Sequence, residues 1–249
     1  MGLYWRDYAM GRFGFFVSGR LKKGAEMDES GEKSVSIAAL ERKAKKCPHS
    51  CCTLHKKSDS DRNKDCTKVV FDGGDRASKV MFVGEAPGKH EDEQGKPFVG
   101  DAGDRLNELI RENLAEWTRD SIYITNLVKC RPAGDDDPRS LEIKTCFGFL
   151  EEQIRAICPK VIVAVGRFAG SWLAYRKTTG KLKDMRAAKR VADELKYKDP
   201  EAGDKRLREG IPLLVVRHPS AFRFQKKDKL EKEIEEDWGT IHKKLRKLR

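Results

Sequence analysis

The sequence predicts an α/β domain, a three-layer α/β/α sandwich around a four-stranded parallel sheet. Two observations carry this. Four short apolar runs rich in β-branched residues, "VMFVG" (80–84), "IYIT" (122–125), "VIVAVG" (161–166) and "LLVV" (213–216), read as strands buried on both faces. Between them lie stretches whose apolar residues recur at helical spacing, so strands and helices alternate.

Taken in order, residues 1–36 show no clear period and end in the linker-like "GAEMDESGEKSVS", which predicts a flexible N-terminal extension. Ser36 to Lys46 suits a short helix leading into the first cysteines. The first strand runs into "GEAPGKHEDEQGKPFVG" (84–100), a glycine- and proline-punctuated stretch. Leu106, Leu109, Ile110 and Leu114 then share one helical face. The second strand ends at Asn126. Ile143, Cys146, Phe147, Leu150, Ile154 and Ile157 mark the next helix, and the third strand follows. Residues 175–210 interrupt the rhythm as a Lys/Arg-rich, partly helical insertion. The fourth strand runs into Arg217-His218-Pro219-Ser220. Leu230, Ile234, Trp238, Ile241, Leu245 and Leu248 line one face of a last helix. The expected organisation is therefore an extension (1–36), one domain (37–225) carrying the insertion, and a C-terminal helix (226–249) packed on it.

Composition narrows the function. A net charge of +12, from 52 Lys and Arg against 40 Asp and Glu, favours a polyanionic partner. The strand-bearing stretch 80–170 is mildly acidic, whereas 37–79, 175–210 and 223–249 are basic. That distribution suits a pocket for a neutral group on a polyanion held from outside, with the insertion along it. No apolar run reaches a membrane-spanning 18 residues, and "FGFFV", flanked by arginines, is too short for a secretory signal. The expectation is a cytoplasmic, nucleoid-associated monomer. Seven cysteines cannot all pair within one chain, and metal ligation is the better reading for a subset. Cys158, in "ICPKVIV", reads as a small buried hydrophobe.

Open parallel sheets bind ligands outside the carboxyl ends of their strands. Glu85, Asn126 and His218 stand at three such ends, so a carboxylate, a carboxamide and an imidazole converge on one crevice. The glycine-rich turn after the first strand is not a phosphate cradle. It has no GxxxxGK[ST] lysine and no GxGxxG, and four acids, Glu85, Glu91, Asp92 and Glu93, stand in it. Asp92 and Glu93 read as solvated loop charges.

These motifs together, "GEAPGKHEDEQGKPFVGDAG", "YITNLVKCRP", a cysteine sixteen residues after Cys130, "PKVIVAVGRFA" and "HPS", resemble the family 4, iron–sulfur-containing uracil-DNA glycosylases. The likeness covers roughly residues 47–174 and 211–224. It implies removal of uracil from single- or double-stranded DNA to leave an abasic site, the first step of base excision repair. A flipped-out base would stack on Phe98, beside Gly84 and Ala86. Asn126 would read N3–H and O4 of uracil, and His218 would donate to O2 as charge leaves with the base. Glu85 or Glu91 would position water or stabilise the sugar cation; Glu91 could instead wall off the C5 edge. Ser220, Phe222 and Arg223 become candidates for contact with DNA.

The resemblance also makes Cys130 and Cys146 two ligands of a [4Fe–4S] cluster, with Cys47 as the first ligand. The family's CxxC pair is absent from "CPHSCCTLHKK", so Cys52 is taken as the remaining ligand, with Cys51 and Cys66 as alternatives. Zinc is the rival metal, since His49 and His55 add borderline ligands. "PAGDDDP" departs from the family's usual basic loop and puts three acids there. The competing functions are a catalytically weak lesion-binding module, opposed by the intact Glu85, Asn126 and His218 set, and a zinc-dependent nucleic-acid enzyme.

Overall fold

Strand propensity and helical stripes build the predicted sandwich. The structure, a computed structural model, describes residues 36–47, 66–175, 196–220 and 227–246, the side chains of 135 and 227–230 excepted. All of these lie in one compact unit, Val35–Arg249. The sheet order is β1-β3-β2-β4-β6-β5. Its centre is the expected parallel set: β2 (Val80–Gly84), β3 (Tyr123–Asn126), β4 (Val161–Val165) and β6 (Ile211–Val216). Two short antiparallel edges, β1 (Gly73–Gly74) on β3 and β5 (Lys196–Tyr197) on β6, extend it to six strands.

Side chains along each strand alternate between two cores, as the strand period requires. Met81, Val83 and Tyr123 face one core, with α1 (Ile37–Lys45), α4 (Ser140–Ile157) and α5 (Arg167–Tyr175). Val80, Phe82, Ile122 and Ile124 face the other, with α3 (Asp101–Asn113) and α7 (Lys227–Arg246). Ser36 caps α1 by accepting the Ala39 amide at 3.3 Å. The α7 stripe is realised: Ile234, Trp238, Ile241 and Leu245 are buried, and Trp238 meets Phe82 with ring centroids 6.1 Å apart. Each such large side chain contributes about 1.5–3 kcal/mol by leaving water.

Three expectations need correction. The stretch 84–100 is not all loop, for α2 (Lys89–Gln94) forms within it. That helix turns Glu93 outward and Asp92 inward. Asp92, only 3% exposed, accepts the Thr67 amide at 2.9 and 3.0 Å, the Thr67 hydroxyl at 2.5 Å and the Lys68 amide at 2.9 Å. It pins the segment that follows Cys66. Second, Cys158 is not a plain hydrophobe. It is half-buried, donates to Asp204 Oδ2 at 3.1 Å and receives Arg206 Nη2 at 2.8 Å, while burial and the Asp204 bond push its thiol up to about 11. Third, the described end of the insertion, 196–210, belongs to the core. Tyr197 of β5, Leu207 of α6 (Lys205–Glu209) and Ala202 between them are buried, and Arg155 binds Asp199 at 2.6 Å. Tyr197 pairs with Ile211 at the start of β6, the end of the strand remote from His218. Residues 176–195 lie outside the described residues.

Candidate active site at the strand ends

Parallel register places the strand-end residues side by side. Gly84 pairs with Asn126 across β2 and β3. Main-chain bonds continue past the strands, from Leu127 N–H to Gly84 O at 2.9 Å and Val128 N–H to Glu85 O at 3.2 Å. Beyond them opens a pocket of about 1210 Å³ whose walls include Glu85, Ala86, Glu91, Arg167, His218 and Ser220. Asn126 and Phe98 are buried and are not among the residues that line it. Gly84 separates them, and a Cβ there would lie 2.3 Å from Asn126 Oδ1 and 2.5 Å from the Phe98 ring, so the position tolerates no side chain. Phe98 holds a left-handed φ of 53°, a costly conformation for a bulky residue. The start of α3 fixes it: a Cβ on Gly103 would lie 2.0 Å from the Phe98 carbonyl. The Phe98 ring stands 6.3 Å from that of His218.

The carboxylates divide their work. Glu85 has an Oε1 that is buried and without a partner. Burial, reinforced by Asp137 and opposed by Arg167, pushes its carboxyl up to about 7. Glu91 is committed to the main chain. Its Oε1 accepts the amides of Val99 (2.8 Å) and Gly100 (2.9 Å), and its Oε2 that of Gly88 (3.1 Å). In a phosphate-binding loop such amides would point at the ligand. Here an internal carboxylate takes them, which explains why a glycine-rich turn carries so many acids. Glu91→Ala is therefore expected to unlatch the 88–100 loop and to cost roughly 2 kcal/mol, since three partly buried amides lose a charged acceptor. Thermal melts and a thymine-release assay check this. Unchanged melting with new thymine release would make Glu91 the wall at the C5 edge instead.

His218 is held in one tautomer. Its Nδ1 lies 2.7 Å from Ser220 Oγ and accepts the Ser220 amide at 3.3 Å, which leaves the proton on Nε2. Burial pulls the imidazole below its ordinary pKa, against the pull of Glu91, so it is neutral at pH 7. Ser220 is thus engaged with His218. The preceding Arg217 clamps this loop to α7 through Glu233 (2.8 Å) and Asp237 (2.7 Å). Phe222 and Arg223 lie outside the described residues.

On the other face of the sheet end, Cys130 and Cys146 are buried in one core with Cys66, and Cys47 packs against it. The Lys129 amide donates to Cys146 Sγ at 3.3 Å. Lys129 itself is 1% exposed. Burial pulls its ammonium down to about 8, still protonated at neutral pH, while Cys146, Asp72 and Cys130 pull the other way. Among the described residues no group of three His, Cys, Asp or Glu is already arranged around a metal position. Cys51, Cys52, His49 and His55 lie outside those residues.

The model of the uracil DNA glycosylase superfamily matches residues 71–241. A type-4 uracil-DNA glycosylase of Sulfurisphaera tokodaii is 37% identical over 182 residues, 73% of this chain and 75% of that protein. One of Archaeoglobus fulgidus is 34% identical over 190 residues, 76% and 84% respectively. The chain belongs to the type-4 uracil-DNA glycosylases. A further type-4 uracil-DNA glycosylase, from Saccharolobus solfataricus, is 45% identical over 112 residues, 45% of this chain and 51% of that protein. Within this family member, sequence reasoning overlooked Arg167 and Asp137, both in the pocket wall, as well as Lys129. Arg167 was within reach of the strand-end rule, because it follows Gly166 at the end of β4. Lys129 left no such signal, and Asp137 stood out only as one of the three acids of "PAGDDDP". Among the described residues no helix is long and apolar enough to cross a membrane.

Proposed function

We propose that this protein hydrolyses the N-glycosidic bond of uracil in DNA as a monofunctional glycosylase and leaves an abasic site. The observation that carries the reading is the pairing, across one pocket, of a buried unpartnered Glu85 oxygen with a neutral His218 whose Nε2 is the free donor. The target nucleotide is flipped out of the stack, at a cost of a few kcal/mol. Its ring stacks on Phe98 and its N3–H and O4 meet the Asn126 carboxamide, whose donor and acceptor reject the reversed edge of cytosine. The C1′–N1 bond then breaks and its electron pair leaves with the base. His218 Nε2–H donates to O2 as that charge develops, an interaction stronger in the transition state than before it. The Glu85 carboxylate faces the cationic sugar and orients the water that attacks C1′. The water proton passes to Glu85 and finally to the uracil anion.

The family implies a [4Fe–4S] cluster, and the donor set fits one: buried thiols at 130 and 146 and an amide already aimed at Cys146 Sγ. Cys47, Cys130 and Cys146 would hold it with one of Cys52, Cys51 or Cys66; zinc is the alternative metal. Such a group supplies a structural tie between α1, the segment after β3 and α4. DNA reaches the pocket by its phosphates, drawn by the +12 net charge.

The test is uracil release from single- and double-stranded oligonucleotides with EDTA present. Release of free uracil, with strand scission only after alkali, is expected. Failure on both substrates would leave a lesion-binding module, and loss of activity to EDTA would favour the zinc enzyme.

A further inference from the structure

Lys129 is the only lysine or arginine buried among the described residues. Its Nζ donates to Thr125 Oγ1 at 2.7 Å and to the main-chain carbonyl of Asn126 at 2.6 Å, and stands 5.8 Å from the centre of the Phe71 ring. Cys130 is the next residue, and the Lys129 amide donates to Cys146 Sγ at 3.3 Å. Thr125 is tied in turn to the Phe71 carbonyl at 2.8 Å, so the lysine completes a closed polar network beneath the strand end.

We propose that Lys129 is a positioning residue that joins the cysteine centre to the base-reading Asn126. Its Nζ fixes the Asn126 main chain, and with it the carboxamide, while its own backbone amide reaches Cys146 Sγ. The inference rests on the glycosylase reading for its kinetic arm. It explains why one turn of chain after β3 carries a base-reading amide and a thiol four residues apart. Any rotation of this turn displaces both. It also assigns the cysteine side of the sheet a part in recognition beyond holding the fold together.

The test is a double-mutant cycle in the full chain, by single-turnover uracil release from a single-stranded oligonucleotide. Lys129→Met keeps the length of the stem and removes the charge and the donors. It is expected to slow release by about tenfold or more where Asn126 is present and to do nothing further in an Asn126→Ala background, because coupled residues are non-additive. Lys129→Arg, which restores a cation, is expected to recover part of the rate. Equal losses in both backgrounds, or no loss, overturn the proposal, since a lysine that merely supports the fold would act regardless of Asn126. If Lys129→Met does not fold, Thr125→Val, which removes one acceptor, decides the matter by the same cycle. If the parent protein releases no uracil, the function reading falls and amide exchange is read instead. Faster exchange confined to 126–130 in Lys129→Met supports the strut, and unchanged exchange overturns it.

Discussion

Glu85→Gln is expected to lower the single-turnover rate of uracil release by about 10²-fold, roughly 2.7 kcal/mol of transition-state stabilisation, and to leave binding of uracil-containing DNA nearly intact. Glutamine keeps the shape and loses the charge that, in the proposed reaction, would face the sugar cation. The pH profile gives a second reading. Glu85 is pushed up to about 7, by burial first and then by Asp137, with Arg167 opposing. If the carboxylate is the working form, the parent rate climbs about tenfold per pH unit below 7 and levels off above it. Glu85→Gln should abolish that limb, while any limb from His218 lies lower, in line with its depressed pKa. A rate that instead falls as pH rises through 7 would make Glu85 the acid and overturn its assignment to water. Stability follows the opposite sense. A carboxyl raised above its unfolded value favours the fold in its neutral form. That contribution is full below the unfolded value of about 4.5 and is lost as pH rises through about 7. Glu85→Gln should therefore melt above the parent at pH 8 and level with it near pH 4. Such a gain in stability against a loss of activity is the usual mark of a residue kept for chemistry.

Cys130→Ser and Cys146→Ser are expected to give colourless, poorly soluble protein where the parent is brown, with broad absorbance near roughly 400 nm. Both thiols are buried in the core that also receives α1 and α4. Ligation there would be folding free energy, comparable with the whole stability of a domain, about 5–15 kcal/mol. Serine offers neither the bond nor an apolar surface. Iron and sulfide analysis with the visible spectrum checks this, and a colourless parent with stoichiometric zinc would replace the cluster by zinc. Single serine replacements at Cys51, Cys52 and Cys66 identify the remaining ligand, because the one that ligates loses the colour.

The described end of the insertion changes what its removal can test. Tyr197 and Leu207 are core residues, so cutting away 196–210 would unfold the protein rather than report on DNA binding. Only the stretch 176–195 is open to a test by salt dependence. There each phosphate left without its basic partner should reduce the slope of log K against log salt by about 0.9 on duplex DNA.

By itself the sequence determined the layers, the four central strands and the three residues at their carboxyl ends. Those are local matters: unbroken apolar runs such as Val161–Val165 must be buried on both faces, and a stripe such as Ile234, Trp238, Ile241 must face a core. It also marked the motifs by which the family is known. What only the tertiary structure decided is which charge meets which partner. Asp92 and Glu93 are neighbours in the chain, yet a helix buries one against the amides of Thr67 and Lys68 and turns the other to water. Glu85 and Glu91 are both glutamates of one loop, yet three N–H groups of that loop satisfy Glu91 and, among the described residues, none satisfies Glu85 Oε1. Nothing along the chain marks Lys129, and its burial beside Cys146 depends on a helix residue seventeen positions away. Hydrophobic period is written along the chain, whereas desolvation and hydrogen bonding are set by atoms brought together across it.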